Sequence, residues 1–161
     1  MSRSESCDAG DAHRLYFAYG SLMSKDFMAR MCPDADPHAR ASLHGYTRQY
    51  RGPLTVVQSP GDSVTGALFR VAGSCEEVLD RYEGYPDYYG KSDVRVRVGD
   101  PDRGITELEA FVYTMNGGEE KAPSRDYLAL CIRGAEDWGI DPAEFIDTLP
   151  EDFSHAKEDE D

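Results

Sequence analysis

Residues 91–100, KSDVRVRVGD, set Val94, Val96 and Val98 on alternate positions against Asp93, Arg95 and Arg97. A period of two sends the valines to one face of an extended chain and the charges to the other, which predicts a strand with one buried face. Residues 106–115, TELEAFVYTM, alternate in the same way, and Gly-Asp, Pro-Asp and Asn-Gly-Gly mark the turns around both. Further strands are predicted at RLYFAYG (14–20), ASLHGYTRQYR (41–51), LTVVQS (54–59) and SVTGALFRV (63–71). Within the last of these, Gly66 signals a bulge or a close approach of another backbone.

Helices interrupt these strands. SKDFMARM (24–31) reads as a short helix capped by Ser24. SCEEVLDRYEG (74–84) opens with Ser74 and Glu77 in capping-box spacing, lines up Cys75, Val78, Leu79 and Tyr82, and stops at Gly84. APSRDYLALCIRGAEDWG (122–139) has Ser124 as its cap, Tyr127, Leu128, Cys131, Ala135 and Trp138 facing inward, and Gly139 as its stop. Asp141-Pro142 starts a further short helix through Leu149. Five or six strands, several antiparallel to their neighbours, define an α+β domain with a curled sheet or small open barrel. A βαβαβ dinucleotide fold fits poorly, because no G-x-G-x-x-G follows a strand.

The 161 residues fit one domain, 14–150, between ends expected to be disordered, a polar one at 1–13 and an acidic tail at 151–161, that have little to bury. No apolar run approaches the roughly 18–20 residues of a membrane span, and the first thirteen residues lack the apolar centre of a secretory signal. A cytoplasmic protein without membrane contact is the expectation, as monomer or homodimer. With 31 acidic against 17 basic residues, a formal charge of −14, the surface repels phosphate backbones, so nucleic-acid binding is not expected. Lysine is scarce, 4 against 13 arginines, which suits a salt-loving host or a GC-rich genome equally. Cys7, Cys32, Cys75 and Cys131 contain no C-x-x-C and are read as free thiols. The four histidines show no metal-ligand spacing, no serine sits in G-x-S-x-G, and no phosphate loop is present.

Three features could carry chemistry. Glu83 ends its helix just before Gly84, where a carboxylate faces the negative end of the helix dipole at a cost of a few tenths to about 1 kcal/mol. That unfavourable position, together with partial burial beside Tyr82, would raise its pKa and suit a group that takes and returns a proton. A solvated glutamate on a frayed turn is the plainer reading. The corner Tyr19-Gly20-Ser21-Leu22 ends an apolar strand. It is either a turn or a row of backbone N–H donors for a carboxylate or oxyanion. YEGYPDYYGK packs Tyr82, Tyr85, Tyr88 and Tyr89 around one proline, as core packing or as the wall of a pocket.

Taken in order, these segments resemble the gamma-glutamylcyclotransferase-like (AIG2-like) superfamily. YFAYGSLM is similar to its opening Y-G-[ST]-[NL]-[LM] motif and VTGALFRV to its central G-x-L-[YF] strand. LDRYEGYPDYYGKSDVRV is similar to its L-D-x-x-E-G segment with the following aromatic and Val-rich strand. APSRDYLALCIRGAEDWGI resembles the P-S-x-x-Y…G-A…G helix of members near the glutathione-degrading cyclotransferases. The likeness runs from about residue 15 to 149.

It implies a small mixed or antiparallel β-barrel flanked by helices, with a pocket at the barrel mouth. It also implies a cofactor-independent acyltransferase or lyase reaction in which a gamma-glutamyl amide closes to 5-oxoproline and releases an amine. On this resemblance Glu83 is the general acid/base, and Tyr19, Gly20, Ser21, Leu22 and Tyr89 hold the substrate, with no metal and no cofactor. Lys91 stands where Arg is common, and Leu22 where glutathione-type members carry Asn. The other implied possibility is a non-catalytic ligand-binding or interaction domain of the same fold.

Overall fold

The computed structural model describes residues 13–100, 102–151 and 153. Five strands are joined in the order β1-β3-β2-β4-β5, and β5 returns to β1 to close the barrel. They are β1 (His13–Ala18), β2 (Asp36–Tyr50), β3 (Leu54–Ala72), β4 (Tyr89–Asp100) and β5 (Gly104–Met115). Every pairing is antiparallel except the closing β1/β5 seam, where Tyr16 lies opposite Phe111 in parallel. The sheet is therefore mixed, as the resemblance implies.

The two segments expected as separate strands at 54–59 and 63–71 form one element, β3. Its partner explains this. Gly45 adopts φ +87°, and the β2/β3 register shifts between His44 and Tyr46, so pairing resumes from Ser63 to Gln58 across a local excursion. Gly66 marks a close approach rather than a bulge: a side chain there would meet the Ala18 carbonyl at 2.5 Å and the Phe17 ring at 2.8 Å.

The helices are α1 (Lys25–Met31), α2 (Gly73–Glu83), α3 (Arg125–Asp137) and the single turn α4 (Ala143–Ile146), with a 3₁₀ turn at Ser21–Met23. Ser24 and Ser124 cap their helices as expected, accepting from the N–H of Phe27 and Tyr127. The capping box of α2 is not formed. β3 runs to Ala72 and the helix begins at Gly73, which places Ser74 inside the first turn; no side chain caps it. The stop at Gly84 is left-handed, φ 71° and ψ 35°. The helix expected from Asp141 to Leu149 contracts to α4, which buries Phe145.

The core fills the barrel and the layer beneath the helices, with Phe17, Phe69, Phe111, Tyr50 and Tyr113 among its largest fully buried side chains. The cysteine reading requires correction. Cys32, at the end of α1, and Cys75, in the first turn of α2, are joined by a disulfide, 43 residues apart in sequence with Cα atoms 5.6 Å apart. Spacing along the chain cannot reveal such a pair, because only the docking of α1 against α2 brings it together. Cys131 is a buried free thiol, and Cys7 lies outside the described residues. The polar ends also lie outside them, apart from His13, which opens β1, and Glu151 and Phe153; Phe153 packs against the core. Among the described residues no helix is long and apolar enough to cross a membrane.

Candidate active site

One cavity of about 250 Å³ opens where the end of β1, the end of α2 and the starts of β3 and β4 meet. All six residues that the resemblance assigns to the site line it: Tyr19, Gly20, Ser21, Leu22, Glu83 and Tyr89. Tyr82 and Tyr88 of the tyrosine cluster join them. Tyr85 lies outside, its ring edge-on to Tyr113 and beneath the Lys91 ammonium.

The corner after β1 is held from behind. Gly134 of α3 sits so close to it that a side chain there would meet the Ser24 N–H at 2.7 Å, and the Trp138 indole donates to the Met23 carbonyl at 2.7 Å. The 3₁₀ turn leaves the N–H groups of Ser21 and Leu22 without an intrahelical acceptor, as at any helix start. The glycine at position 20 is needed for space: a side chain there would meet the Tyr127 hydroxyl at 2.9 Å and Leu54 at 3.5 Å. The group crowding Gly20 is thus another cavity residue.

Glu83 reaches the cavity because Gly84 ends α2 there and turns the chain away. The following loop is pinned by Asn116, whose side-chain amide donates to the carbonyls of Pro86 (2.7 Å) and Asp87 (2.9 Å). The Glu83 carboxylate has no hydrogen-bond or ion-pair partner among the described residues. Burial pushes its pKa from 4.5 to about 7. The raised value expected from the sequence is present, and burial, one of the two causes named there, raises it.

Seven of the thirteen lining residues are tyrosines. Tyr19 donates to the Tyr113 carbonyl (2.6 Å), Tyr89 to the Leu54 carbonyl (2.8 Å) and Tyr113 to Asp80 (2.6 Å), while the Tyr127 hydroxyl accepts from the Leu54 N–H (3.0 Å). Tyr82 stands 47% exposed at the mouth, edge-on to Phe27. Tyr16, only 4% exposed, differs from the other buried phenols: its hydroxyl has no partner among the described residues. Burial raises the pKa of Tyr16, Tyr19, Tyr89, Tyr113 and Tyr127 in each case, so these phenols stay protonated as donors.

Tyr16, Tyr113, Tyr127, Pro53 and Leu54 were not foreseen as cavity residues. Tyr127 was expected to face inward, but period and spacing do not say which inward residues end at a cavity. Lys91 does not line the cavity. Its ammonium binds Glu76 (2.7 Å) and Asp80 (3.0 Å), and Arg14 also reaches Glu76 (2.8 Å), beneath the Tyr113 wall. Among the described residues, no three His, Cys, Asp or Glu side chains converge as metal ligands.

Residues 16–129 match the family model described as gamma-glutamyl cyclotransferase, AIG2-like, and the chain belongs to that family. It is 29% identical to the gamma-glutamylcyclotransferases of Homo sapiens, over 87% of this chain and 81% of the human one, and of Mus musculus, over 84% and 76%. A solved structure named gamma-glutamyl cyclotransferase superposes with a TM-score of 0.78 at 25% identity, covering 87% of this chain and 90% of the other.

Proposed function

We propose that this chain converts a gamma-glutamyl amide or peptide into 5-oxoproline and a free amine, with Glu83 as its general acid/base. The observation that carries this reading is the unpaired Glu83 carboxyl, with a pKa of about 7, in a cavity whose other lining groups are hydroxyls, backbone and apolar side chains. Family membership and the names of the relatives support it.

The chemistry asks little of the protein beyond placement and one proton shuttle. The Glu83 carboxylate takes a proton from the substrate's α-ammonium. The freed amine attacks the γ-carbonyl carbon of the same molecule, forming the ring C–N bond and a tetrahedral oxyanion. The Glu83 carboxylic acid returns the proton to the leaving nitrogen, the old amide C–N bond breaks as the oxyanion collapses, and the ring nitrogen gives its excess proton to the Glu83 carboxylate to leave the neutral lactam; that proton passes on to the released amine, which departs as an ammonium. The nucleophile is tethered to its electrophile, so orientation replaces an encounter. A group with a pKa near 7 is suited to both halves of that transfer. N–H groups of the 19–22 corner and the free Tyr16 hydroxyl supply donors for the substrate carboxylate and the developing oxyanion.

Purified protein is tested against a panel of gamma-glutamyl amino acids, amines, the ε-lysine isopeptide and glutathione, with 5-oxoproline release as readout. Release from at least one member is expected, and the panel identifies the leaving group. No release from any member overturns the proposal.

A further inference from the structure

β2 carries a cation on its inward row. Counting back from the buried Tyr50 by twos places Arg48 on the same face, and it is 6% exposed. Its guanidinium donates from Nε to the Tyr19 carbonyl (2.9 Å), from Nη1 to Glu144 of α4 (3.1 Å) and from Nη2 to the Thr65 carbonyl, and its Cζ lies over the Phe145 ring, 4.2 Å from the centroid. Taking an arginine out of water costs several kcal/mol, and an apolar side chain of similar volume would fill the same space without that penalty. Burial lowers the Arg48 pKa, opposed by Glu144, which is itself 38% exposed. Two of the three acceptors are neutral carbonyls, so ion pairing alone does not account for the residue.

The Tyr19 carbonyl belongs to the peptide that joins Tyr19 to Gly20, both of which line the cavity. In a trans peptide the carbonyl and the next N–H point in opposite directions. A carbonyl held toward Arg48, which does not line the cavity, turns the Gly20 N–H away from the guanidinium and toward the cavity side. We infer that Arg48 is a positioning residue: by gripping the Tyr19 carbonyl it sets the peptide plane at the head of the 19–22 corner, and with it the N–H donors that meet the substrate. The planar fork of the guanidinium presents its donors from three separate nitrogens in fixed directions, whereas lysine presents all of its donors from one atom. The catalytic consequence rests on the cyclotransferase reading above; the geometric one does not.

Arg48→Met and Arg48→Lys are compared with the wild type in two measurements. The first is kcat and KM per folded molecule on the best gamma-glutamyl substrate. The second is the Gly20 amide resonance and its hydrogen exchange in ¹⁵N-glycine-labelled protein. Arg48→Met is expected to move the Gly20 resonance and to lower kcat/KM about 10–100-fold, the scale of a reacting group misplaced by about an ångström. Arg48→Lys is expected to fall between, and it carries the test alone if Arg48→Met does not fold. A merely structural arginine would lower thermal stability while leaving kcat and KM per folded molecule and the Gly20 amide unchanged, and that result overturns the inference. If the wild type forms no 5-oxoproline yet the Gly20 amide moves in the variants, the positioning role stands and the cyclotransferase reading falls.

Discussion

Asp80 and Glu83 are three residues apart on the last turn of α2, and the fold treats them in opposite ways. Asp80 accepts from Lys91 at 3.0 and 3.2 Å and from the Tyr113 hydroxyl at 2.6 Å. Glu83 has no such partner, and burial alone raises its pKa to about 7. One carboxylate is consumed by structure; the other is kept out of the ion-pair network and left facing a cavity. A satisfied buried charge holds elements together, whereas an unsatisfied one is retained at a cost in stability. Two acids of one helix thus separate a scaffold role from the reactive one proposed above.

Glu83→Gln breaks the reactive side of this comparison most severely. The amide keeps the shape and cannot carry a proton, so kcat for 5-oxoproline release is expected to fall about 10²–10⁴-fold. In the wild type, kcat/KM should drop on the acid side with an apparent pKa near 7. Stability should move the other way. The folded pKa of Glu83 is raised, so the folded state binds the extra proton between about 4.5 and 7. This group therefore weakens the fold progressively as pH rises through that window, and is neutral to it below. Glu83→Gln should be more resistant to urea than the wild type at pH 8 and indistinguishable at pH 4. Activity within a few-fold of wild type removes Glu83 from the mechanism.

Tyr16→Phe sharpens the same contrast with a neutral group. Deleting a buried hydroxyl that has no protein partner should leave unfolding free energy unchanged or raised by up to about 1 kcal/mol. If that hydroxyl meets the oxyanion, kcat should fall about 10–100-fold. A stability loss without an activity loss would assign it to the fold.

Asp80→Asn tests the scaffold side. It removes the charge that Lys91 and Tyr113 share, and is expected to lower the unfolding free energy by about 1–2 kcal/mol. Turnover should fall less than ten-fold, through the Tyr113 wall. A larger catalytic loss than that of Glu83→Gln would reverse the two roles.

The smallest effect is expected from truncation after Phe153. The remaining residues, SHAKEDED, hold five charged side chains and little to bury, and ordering them would cost about 1–2 kcal/mol per residue. Thermal midpoint and kcat should stay near wild type at moderate salt. A large loss of kcat would place that segment over the cavity.

Much of this site was legible in the chain because its parts are local. A strand that ends in Gly20-Ser21, a glutamate set before a helix-stopping glycine, and tyrosines clustered around Pro86 are each contained within ten residues. Each was also open to a plain structural reading, and it was the resemblance that joined them into one site. Alternation likewise exposed the strands, since side-chain direction in an extended chain depends on parity alone. Parity does not say which strands pair or where a barrel closes. The β1/β5 seam, the single long β3, the Cys32–Cys75 bond and the meeting of Tyr16, Tyr113 and Tyr127 with Glu83 in one cavity all depend on contacts between residues far apart in sequence. So does the division between Asp80 and Glu83: the glycine stop marks Glu83, but nothing along α2 says that Asp80 will be paired and Glu83 will not. Lys91 and Tyr113, arriving from β4 and β5, reach one of them and not the other, and that difference exists only once the barrel is closed.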